Sequence, residues 1–380
     1  MSLFRKFLRA TAFSGLSFLL WGCLEYTITT QVLPDGRILR TVTAKGDSVN
    51  IFHGSFRVPS DTGWSVVTRY EPRSSKDSAN GEVFVYEATK EFMDFEVLNR
   101  IFYTDSAFNT HVNIKVDLHR QHRWFYTYYH YIETYKMLFP FRSVPVSKYL
   151  NESELRIYLA GENEVYYSPE NDSVVISSDT LARPALSYSD SLRLKEIRDN
   201  IDLKYEQWQK INVYIGYFET VQEALLKLGK GSDTAGIRKP FFHWLDSTDV
   251  FDEGMTNKDA FINAAARYFG IKAEKLRDAN AEGFALFNKK FRVATYTLET
   301  YTNRLLMPGV IIKSNGRNIS GNLVSWNFKI DTFYASDFVM EAEARSVNKT
   351  AVIAAALLLV ILLGLFLFRI ILPRFGGRAG

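Results

Sequence analysis

Three of the six histidines lie in one short segment beside two acidic residues, and such side chains could together bind a metal ion. They are His119, His122 and His130, with Asp117 and Glu133 nearby. In an extended strand His122 and His130 share one face but lie about 26 Å apart, at about 3.3 Å per residue, which is too far for one ion unless the chain turns between them. The segment has no histidine pair at the i, i+4 spacing of a helix and no cysteine. We therefore predict no metal site and interpret the segment as polar and aromatic packing on a sheet.

Other short motifs do not match known phosphate, calcium or nucleophile sites. The stretch GKGSDTAG (229–236) lacks the upstream glycine of a P-loop and does not follow a strand pattern. The acidic stretch DSTDVFDEG (246–254) lacks the alternating acids and terminal glutamate of an EF-hand. A Gly-x-Ser-x-Gly elbow is absent from the sequence. We predict no catalytic residue and no cofactor, although two carboxylates brought together by folding would leave no trace in a sequence.

Cys23 is the only cysteine in the 380 residues, and it follows a segment with the layout of an export signal. Arg5, Lys6 and Arg9 precede the charge-free, mostly apolar run from Ala10 to Trp21. That layout is typical of a secretory signal peptide, and the run is too short to cross a hydrocarbon core that needs roughly 20 residues. An exported chain with one cysteine has no internal disulfide, so we expect its core alone to hold the fold.

The residues Leu20, Trp21, Gly22 and Cys23 resemble the lipobox of bacterial lipoproteins. The resemblance implies acylation of the Cys23 thiol and cleavage just before it, so that residues 1–22 form a lipoprotein signal peptide. The alternative is an ordinary cysteine within an uncleaved signal.

The run from Ala351 to Phe368 is apolar throughout and continues past Arg369 to Leu372. An apolar stretch of 18 or more residues indicates a transmembrane helix, here predicted over 351–372. Residues 373–380 add Arg374 and Arg378 without an acid, and positive flanks favour the cytoplasm. Because the N-terminal signal is also positively flanked, we predict a periplasmic body, a cytoplasmic tail and residence in the inner membrane of a Gram-negative cell.

The overall charge of +4 comes from the two ends of the chain. Three of the 46 basic residues are in the signal and three are in the tail. The body therefore has 40 basic and 42 acidic residues. The body therefore has no basic surplus, which argues against nucleic acid as a partner.

Asp followed by Ser or Thr and then an apolar residue occurs more often than average composition predicts. The hydroxyl residues are Ser48, Ser78, Ser106, Ser173, Thr180, Ser191 and Thr234. The triplet resembles the general O-glycosylation motif of periplasmic and surface proteins in one group of Gram-negative bacteria, which implies glycosylation at these seven positions. The alternative is that Asp and Ser are simply favoured in turns and helix caps. In either case we expect exposed loops.

Hydrophobic periodicity predicts an α+β fold. The alternating runs on both sides of Pro34, Asp35 and Gly36 predict a β-hairpin, and the spacing of apolar residues over 190–228 predicts a long helix, broken near Asn200 or Gly216. Another helix is predicted from Thr256, with Asp259 in a capping box, and strand patterns return after residue 290. We predict a membrane-proximal β-rich domain formed by 23–146 and 291–346, with a mainly helical insertion over 147–290.

The stretch from Met307 to Ile330 carries a Pro-Gly pair, a predicted strand, an Asn-Gly turn and a Gly-Asn-x-Val-x-Trp strand. The residues are Pro308, Gly309, Asn315, Gly316, Gly321, Asn322, Val324 and Trp326. This pattern resembles the end of LppM-like lipoprotein domains, where it precedes the last strands and a transmembrane helix. The resemblance implies a membrane-attached, β-rich module with no established catalytic site.

These observations favour a non-enzymatic lipoprotein of the cell envelope, anchored by Cys23 and by the C-terminal helix. Its expected partners are the lipid bilayer and an envelope protein or other envelope component that docks on the body. One alternative is a membrane-bound hydrolase that acts on an envelope carbohydrate or lipid through carboxylates in a cleft. The other is a lipid-binding module, favoured by the 29 phenylalanines and 21 tyrosines.

Overall fold

The structure is a computed structural model that describes residues 24–72, 82–106, 108–160, 165–176, 187–230, 236–295, 299–316 and 318–375. The signal peptide, Cys23, Ser78, Thr180, Thr234 and the end of the tail lie outside these residues. The predicted α+β class is confirmed, because the described residues form thirteen strands and ten helices, with two short 3₁₀ turns.

The strands form a seven-stranded sheet, a four-stranded sheet and a separate hairpin. They are β1 (Leu24–Val32), β2 (Ile38–Gly46), β3 (Ser65–Pro72), β4 (Glu82–Phe92), β5 (Ile114–Arg123), β6 (Tyr126–Tyr135), β7 (Val165–Ser168), β8 (Ser173–Ile176), β9 (Glu299–Leu306), β10 (Val310–Ser314), β11 (Asn318–Ser320), β12 (Leu323–Lys329) and β13 (Phe338–Val347). The first sheet has the order β11-β12-β9-β1-β2-β4-β3, the second has the order β10-β13-β6-β5, and β7 pairs with β8.

Seven of the ten helices in the described residues lie between β6 and β9 in the sequence. They are α1 (Ser48–His53), α2 (Phe95–Phe102), α3 (Glu152–Leu159), α4 (Tyr188–Lys227), α5 (Arg238–Ser247), α6 (Val250–Thr256), α7 (Ala260–Phe269), α8 (Ala273–Ala279), α9 (Ala281–Ala294) and α10 (Lys349–Phe375).

Both halves of the β-rich region contribute to the first sheet. β1 pairs antiparallel with β2 through the predicted hairpin and parallel with β9, so that Ile28 lies opposite Val42 on one side and Asn303 on the other. Gly36 adopts a φ of +98° in the hairpin turn, a conformation that favours glycine. Alternate residues of β1 are buried, as the period-two pattern predicts.

The two larger sheets are joined by a core that is mainly aromatic but contains a buried ion pair. Arg40 on β2 donates to Glu133 on β6 at 2.7 Å, and both side chains are buried. Tyr135 on β6 donates to Asn303 on β9 at 3.1 Å, and its ring packs edge-on against Phe328 of β12. These contacts fix the inner faces of the sheets against each other.

The longest helix, α4, runs for 40 residues without interruption, so the predicted break at Asn200 or Gly216 is wrong. A Cβ at Gly216 would lie 2.7 Å from the ring of Phe141. The glycine therefore allows close packing of the helix, and its low helix propensity is overridden by this tertiary contact. Ser187 caps the start of α4, and Gly229, at a φ of +69°, follows its end.

The prediction of a helix start at Thr256 is also wrong. α6 ends at Thr256 and α7 begins at Ala260, with no side-chain cap from Asp259. The Asp259 carboxylate instead accepts a hydrogen bond from Arg277 at 2.9 Å, so an ion pair with α8 takes the place of the cap. Gly270 ends α7 in the left-handed conformation, which favours glycine.

The stretch from Met307 to Ile330 passes from one sheet to the other. Gly309 has a φ of +85°, and a Cβ there would lie 2.2 Å from the carbonyl oxygen of Arg345. The side-chain oxygen of Asn315 accepts from the Trp326 indole at 3.0 Å and from the backbone of Glu341 at 2.9 Å. These residues therefore have a structural role, because they hold the crossing chain against β12 and β13.

The C-terminal helix α10 is long and apolar enough over Lys349–Arg369 to cross a membrane. Its large apolar side chains are exposed rather than packed on the body. A water-soluble protein rarely leaves such a continuous apolar surface uncovered. The helix therefore fits the predicted transmembrane segment better than a core helix.

Candidate functional site

An open cleft of about 1340 Å³ lies between the helical region and one side of the first sheet. One wall comes from α3 and the N-terminal half of α4, and the other comes from β9, β12 and the turn that follows β12. The buried face of α4 packs through Tyr205 and Trp208, which leaves Asp202 and Gln209 to line the opening. The position of the cleft follows from how the insertion packs on the sheet.

Aromatic and amide side chains line much of this cleft. Tyr158 on α3 stacks on Tyr205 of α4, with ring centroids 4.0 Å apart and planes 20° apart. Trp326 and Asn327 come from β12, and the Trp326 indole is held by its hydrogen bond to Asn315. Tyr205 and Trp326 are buried, so the half-buried Tyr158 ring and the exposed Asn327 amide are the groups that a ligand with apolar faces and hydroxyl groups would meet.

Two carboxylates face the cleft from opposite walls. Asp331 lies in the 3₁₀ turn after β12, and its Oδ2 accepts a hydrogen bond from the Tyr158 hydroxyl at 3.3 Å. Burial raises the pKa of Asp331, and the charge of Asp202 adds to this rise. Partial burial also raises the pKa of Asp202, although that side chain remains exposed. Both groups therefore hold protons more strongly than an ordinary aspartate.

We expect Asp331→Asn to stabilise the protein at neutral pH, because burial raises the pKa of the Asp331 carboxyl in the folded chain. Above the ordinary aspartate value of 3.8 the unfolded chain ionises while the folded carboxyl keeps its proton, so the free energy of unfolding falls as pH rises until the folded carboxyl also ionises. Asparagine does not ionise and escapes this loss. Chemical denaturation at pH 3 and pH 7 should show the gain only at pH 7.

The nearby Asp337 provides the control for this prediction. Its burial favours a higher pKa, but the Lys136 ammonium and the Met137 backbone N–H outweigh burial and lower the pKa. The stability from Asp337 is therefore present at neutral pH and lost as pH falls through its folded pKa. Asp337→Asn should destabilise at pH 7, and a gain in both variants would contradict the assignment of Asp331.

The charges around the cleft nearly balance. Four basic residues line it, Arg156, Lys195, Arg198 and Lys329, together with five acidic residues, Asp199, Asp202, Glu206, Asp331 and Asp337. A strongly charged ligand would meet as much repulsion as attraction there, so the cleft favours a neutral or zwitterionic ligand.

The histidine segment folds into the hairpin of β5 and β6. The chain therefore does turn between His122 and His130, which the sequence alone did not show. His119 lies directly opposite His130, with ring centroids 6.4 Å apart, while His122 lies opposite Thr127. The strand β13 adds Glu341, whose Oε1 is 2.9 Å from His130 Nε2, and Glu343, which is paired with His130.

The potential ligand atoms of His130, Glu341 and Glu343 lie within 4.8 Å of one another. The group offers one imidazole and two carboxylates to a divalent ion. The two glutamates are more than 200 residues away from the histidine in the sequence, so spacing alone gives no signal of this cluster. Lys313 already lies 3.8 Å from Glu341 and competes for its charge.

Four of the seven triplet positions lie in the described residues, and their glycosylation stays a prediction. Ser106 and Ser173 are exposed, in a loop and at the start of β8, and Ser191 is exposed in the first turn of α4. Ser48 is half-buried at the start of α1, where Asp47 accepts from the Val49 backbone at 2.9 Å. The expectation that all triplets lie in exposed loops is therefore wrong, because at least this one caps a helix.

Comparison with known proteins assigns neither a family nor a function to this chain. No protein-family model matches the chain, and no curated protein matches it. A solved structure with some similarity is the NMR structure of the folded domain of LppM from Mycobacterium tuberculosis, at 9% sequence identity and a TM-score of 0.28, over 87% of this chain and 94% of that chain. The resemblance to LppM-like lipoprotein domains is therefore weak, and it assigns neither activity nor partner to this chain.

Proposed function

We propose that this protein is a non-enzymatic, membrane-anchored component of the cell envelope that binds an envelope carbohydrate in the cleft between α4 and the first sheet. The observation that carries the proposal is the cleft itself, which is open, about 1340 Å³ in volume, and lined by both aromatic and hydrogen-bonding side chains. The proposed anchor is α10, with the body in the periplasm of a Gram-negative cell and the C-terminus in the cytoplasm.

Three features of the lining favour a sugar over a lipid or a protein segment. Pyranose rings have apolar faces that pack on aromatic side chains such as the half-buried Tyr158, and hydroxyl groups that bond to amides and carboxyls. The balance of charges favours a neutral or zwitterionic ligand. An acyl chain would instead require a closed apolar cavity, and this cleft is open and carries nine charged residues along its lining.

The proposal is tested by blocking the cleft with Asp202→Arg. The substitution adds bulk and reverses a charge at an exposed position of α4, so it should weaken binding without disturbing the core. The matched control is Leu203→Arg, one residue further along, which is 52% exposed and outside the lining. Calorimetric titration of the detergent-solubilised full chain would measure its affinity for two classes of glycan in separate experiments. The first is soluble glycan strands from peptidoglycan, and the second is neutral glucan oligosaccharides.

We expect the unmodified chain and Leu203→Arg to bind one of the two glycan classes, and Asp202→Arg to lose most of that affinity. Equal binding by all three chains would exclude the cleft as the site. Absence of binding in both arms would overturn the carbohydrate assignment.

Hydrolysis of the same ligand is the second candidate, because Asp202 and Asp331 both line the cleft and both have raised pKa values. Paired carboxyls of this kind serve as acid and base in glycoside hydrolysis. The incubated glycans would be assayed for new reducing ends. If the unmodified chain released new reducing ends and Asp331→Asn did not, the result would favour an enzyme over a binding module.

A further inference from the structure

The turn between β5 and β6 exposes three consecutive aromatic residues, here named the aromatic tip: Trp124, Phe125 and Tyr126. Trp124 is 89% exposed, Phe125 is 42% exposed and Tyr126 is 38% exposed. Exposure of so much aromatic surface to water is unfavourable at about 25 cal/mol per Å² of apolar area. Three neighbouring aromatic side chains form one apolar surface, and contact with a partner would remove this cost.

The backbone of the tip has a conformation that its sequence does not favour. Arg123 and Tyr126 pair across a two-residue turn, in which Trp124 has a φ of +45°. Turns of this kind favour Asn, Asp or Gly, and a bulky residue at positive φ is an outlier. The local backbone conformation therefore does not explain a tryptophan at position 124. Contact of its side chain with a partner would explain it.

The aromatic tip lies where the membrane helix begins. Val347, the last residue of β13, pairs with Tyr126, and the backbone N–H of Asn348 donates to the Phe125 carbonyl at 2.7 Å. The next residue, Lys349, starts α10. The linker between the body and the helix is therefore too short to move the tip away from the surface that the helix enters.

We propose that the aromatic tip inserts into the lipid headgroup layer of the bilayer that α10 crosses, and that the body stands on the membrane with this end down. The inference rests on the part of the proposed function in which α10 spans a membrane, and not on sugar binding. Tryptophan and tyrosine favour the interface between water and hydrocarbon, where the ring lies among acyl chains and its polar atom stays hydrated. Arg345, whose guanidinium lies 4.6 Å from the Tyr126 ring, and the exposed Arg123 place cations at the level of lipid phosphates.

The strand directions show how far the start of β1 lies from the bilayer in this orientation. The Pro34 carbonyl in the turn between β1 and β2 accepts from Arg120 at 3.2 Å and from Tyr129 at 2.9 Å, so this turn lies at the end that carries the tip. Leu24, at the start of β1, is about 26 Å further along the strand, at about 3.3 Å per residue. An upright body therefore holds Leu24 away from the bilayer.

This consequence separates two arrangements of the anchors. An acyl chain on Cys23 in the bilayer that α10 crosses would pull Leu24 to the surface and lay the first sheet along it. Insertion of the aromatic tip keeps Leu24 distant. The two arrangements expose different residues to lipid. Depth measurements on a chain that lacks Cys23 show which of them the body adopts without an acyl chain.

The test places an environment-sensitive fluorophore at Trp124→Cys or at Tyr70→Cys, each in the full chain with Cys23→Ser, reconstituted in nanodiscs of phosphatidylethanolamine and phosphatidylglycerol. Tyr70 is a matched control because it is 64% exposed and lies on β3, at the Leu24 end of the first sheet. Nitroxide lipids labelled near the headgroup serve as quenchers. Both substitutions are at exposed positions and should leave the circular dichroism spectrum unchanged.

We expect nitroxide lipids to quench most of the fluorescence at position 124 and to leave position 70 unaffected. Equal quenching at both positions would show a body lying flat, and no quenching at position 124 would show a tip in water; either result overturns the proposal. If α10 does not span the bilayer, the chain will not co-purify with nanodiscs, so that failure is recognised separately.

Discussion

Arg40→Met is expected to lower the free energy of unfolding by about 3–5 kcal/mol, because it leaves the buried Glu133 carboxylate without its cation. Arg40 is completely buried and Glu133 is 2% exposed, with 2.7 Å between Nη2 and Oε1. Glu133 also accepts from Tyr131 at 2.5 Å and from the Asn303 amide at 3.5 Å, so two hydrogen bonds would remain after the substitution. These neutral hydrogen bonds do not replace a charge-assisted one in a low-dielectric site.

The neighbours of Arg40 explain why its charge persists in the core. Burial is the largest single influence and would lower the pKa of the guanidinium, but the Glu133 carboxylate together with Tyr131 and Tyr135 outweighs it, and the pKa is raised. The guanidinium also lies 5.0 Å from the Phe102 ring, which adds a cation–π contact. The arginine therefore remains protonated at every physiological pH.

Denaturation of the detergent-solubilised chain in urea would measure the loss, with two controls. Arg40→Met combined with Glu133→Leu removes both charges and should recover most of the stability, since an apolar pair of similar volume often replaces a buried ion pair without loss. Lys136→Met breaks the exposed pair with Asp337 and should cost less than about 1 kcal/mol. If the single core variant lost no more than Lys136→Met, the ion pair would have no special role in joining the sheets.

Local features of the fold were predictable from the sequence. The hairpin around Pro34 and Gly36, the glycine end of α7 and the apolar C-terminal helix all follow from signals within a few residues of one another. The continuity of α4 was not predictable, because Gly216 lowers helix propensity and only the ring of Phe141, 75 residues away, explains its presence. Asp259 was misinterpreted for a similar reason, since its partner Arg277 belongs to another helix.

The candidate site is harder to predict than the fold, since its parts are distant in sequence. Asp202 and Asp331 are separated by 129 positions and lie on a helix and a 3₁₀ turn with no shared motif. Glu341 and Glu343 approach His130 only because β13 pairs with β6. Such groups form through sheet order and insertion packing, which depend on the whole chain.

Cys23→Ser is expected to leave the protein in the membrane, whereas a chain that ends at Asn348 and also carries Cys23→Ser is expected to be released almost completely. A spanning helix inserts in an effectively irreversible way, while lipid chains on one residue bind more weakly. The exposed apolar surface of α10 is the feature behind this prediction. Fractionation after extraction with alkaline carbonate, which removes peripheral proteins, would compare four chains: unmodified, each single variant and the double variant.

The four chains separate the contributions of the two ends. If Cys23→Ser alone released the protein, α10 would not be an anchor, and its exposed apolar side chains would need another partner. If the chain ending at Asn348 stayed in the membrane only when Cys23 was present, acylation of Cys23 would be established as a second anchor. Because an upright body holds Leu24 about 26 Å from the turn between β1 and β2, that second anchor would have to lift the aromatic tip from the headgroups or reach a different surface. Membrane attachment and body orientation are thus coupled through the direction of β1.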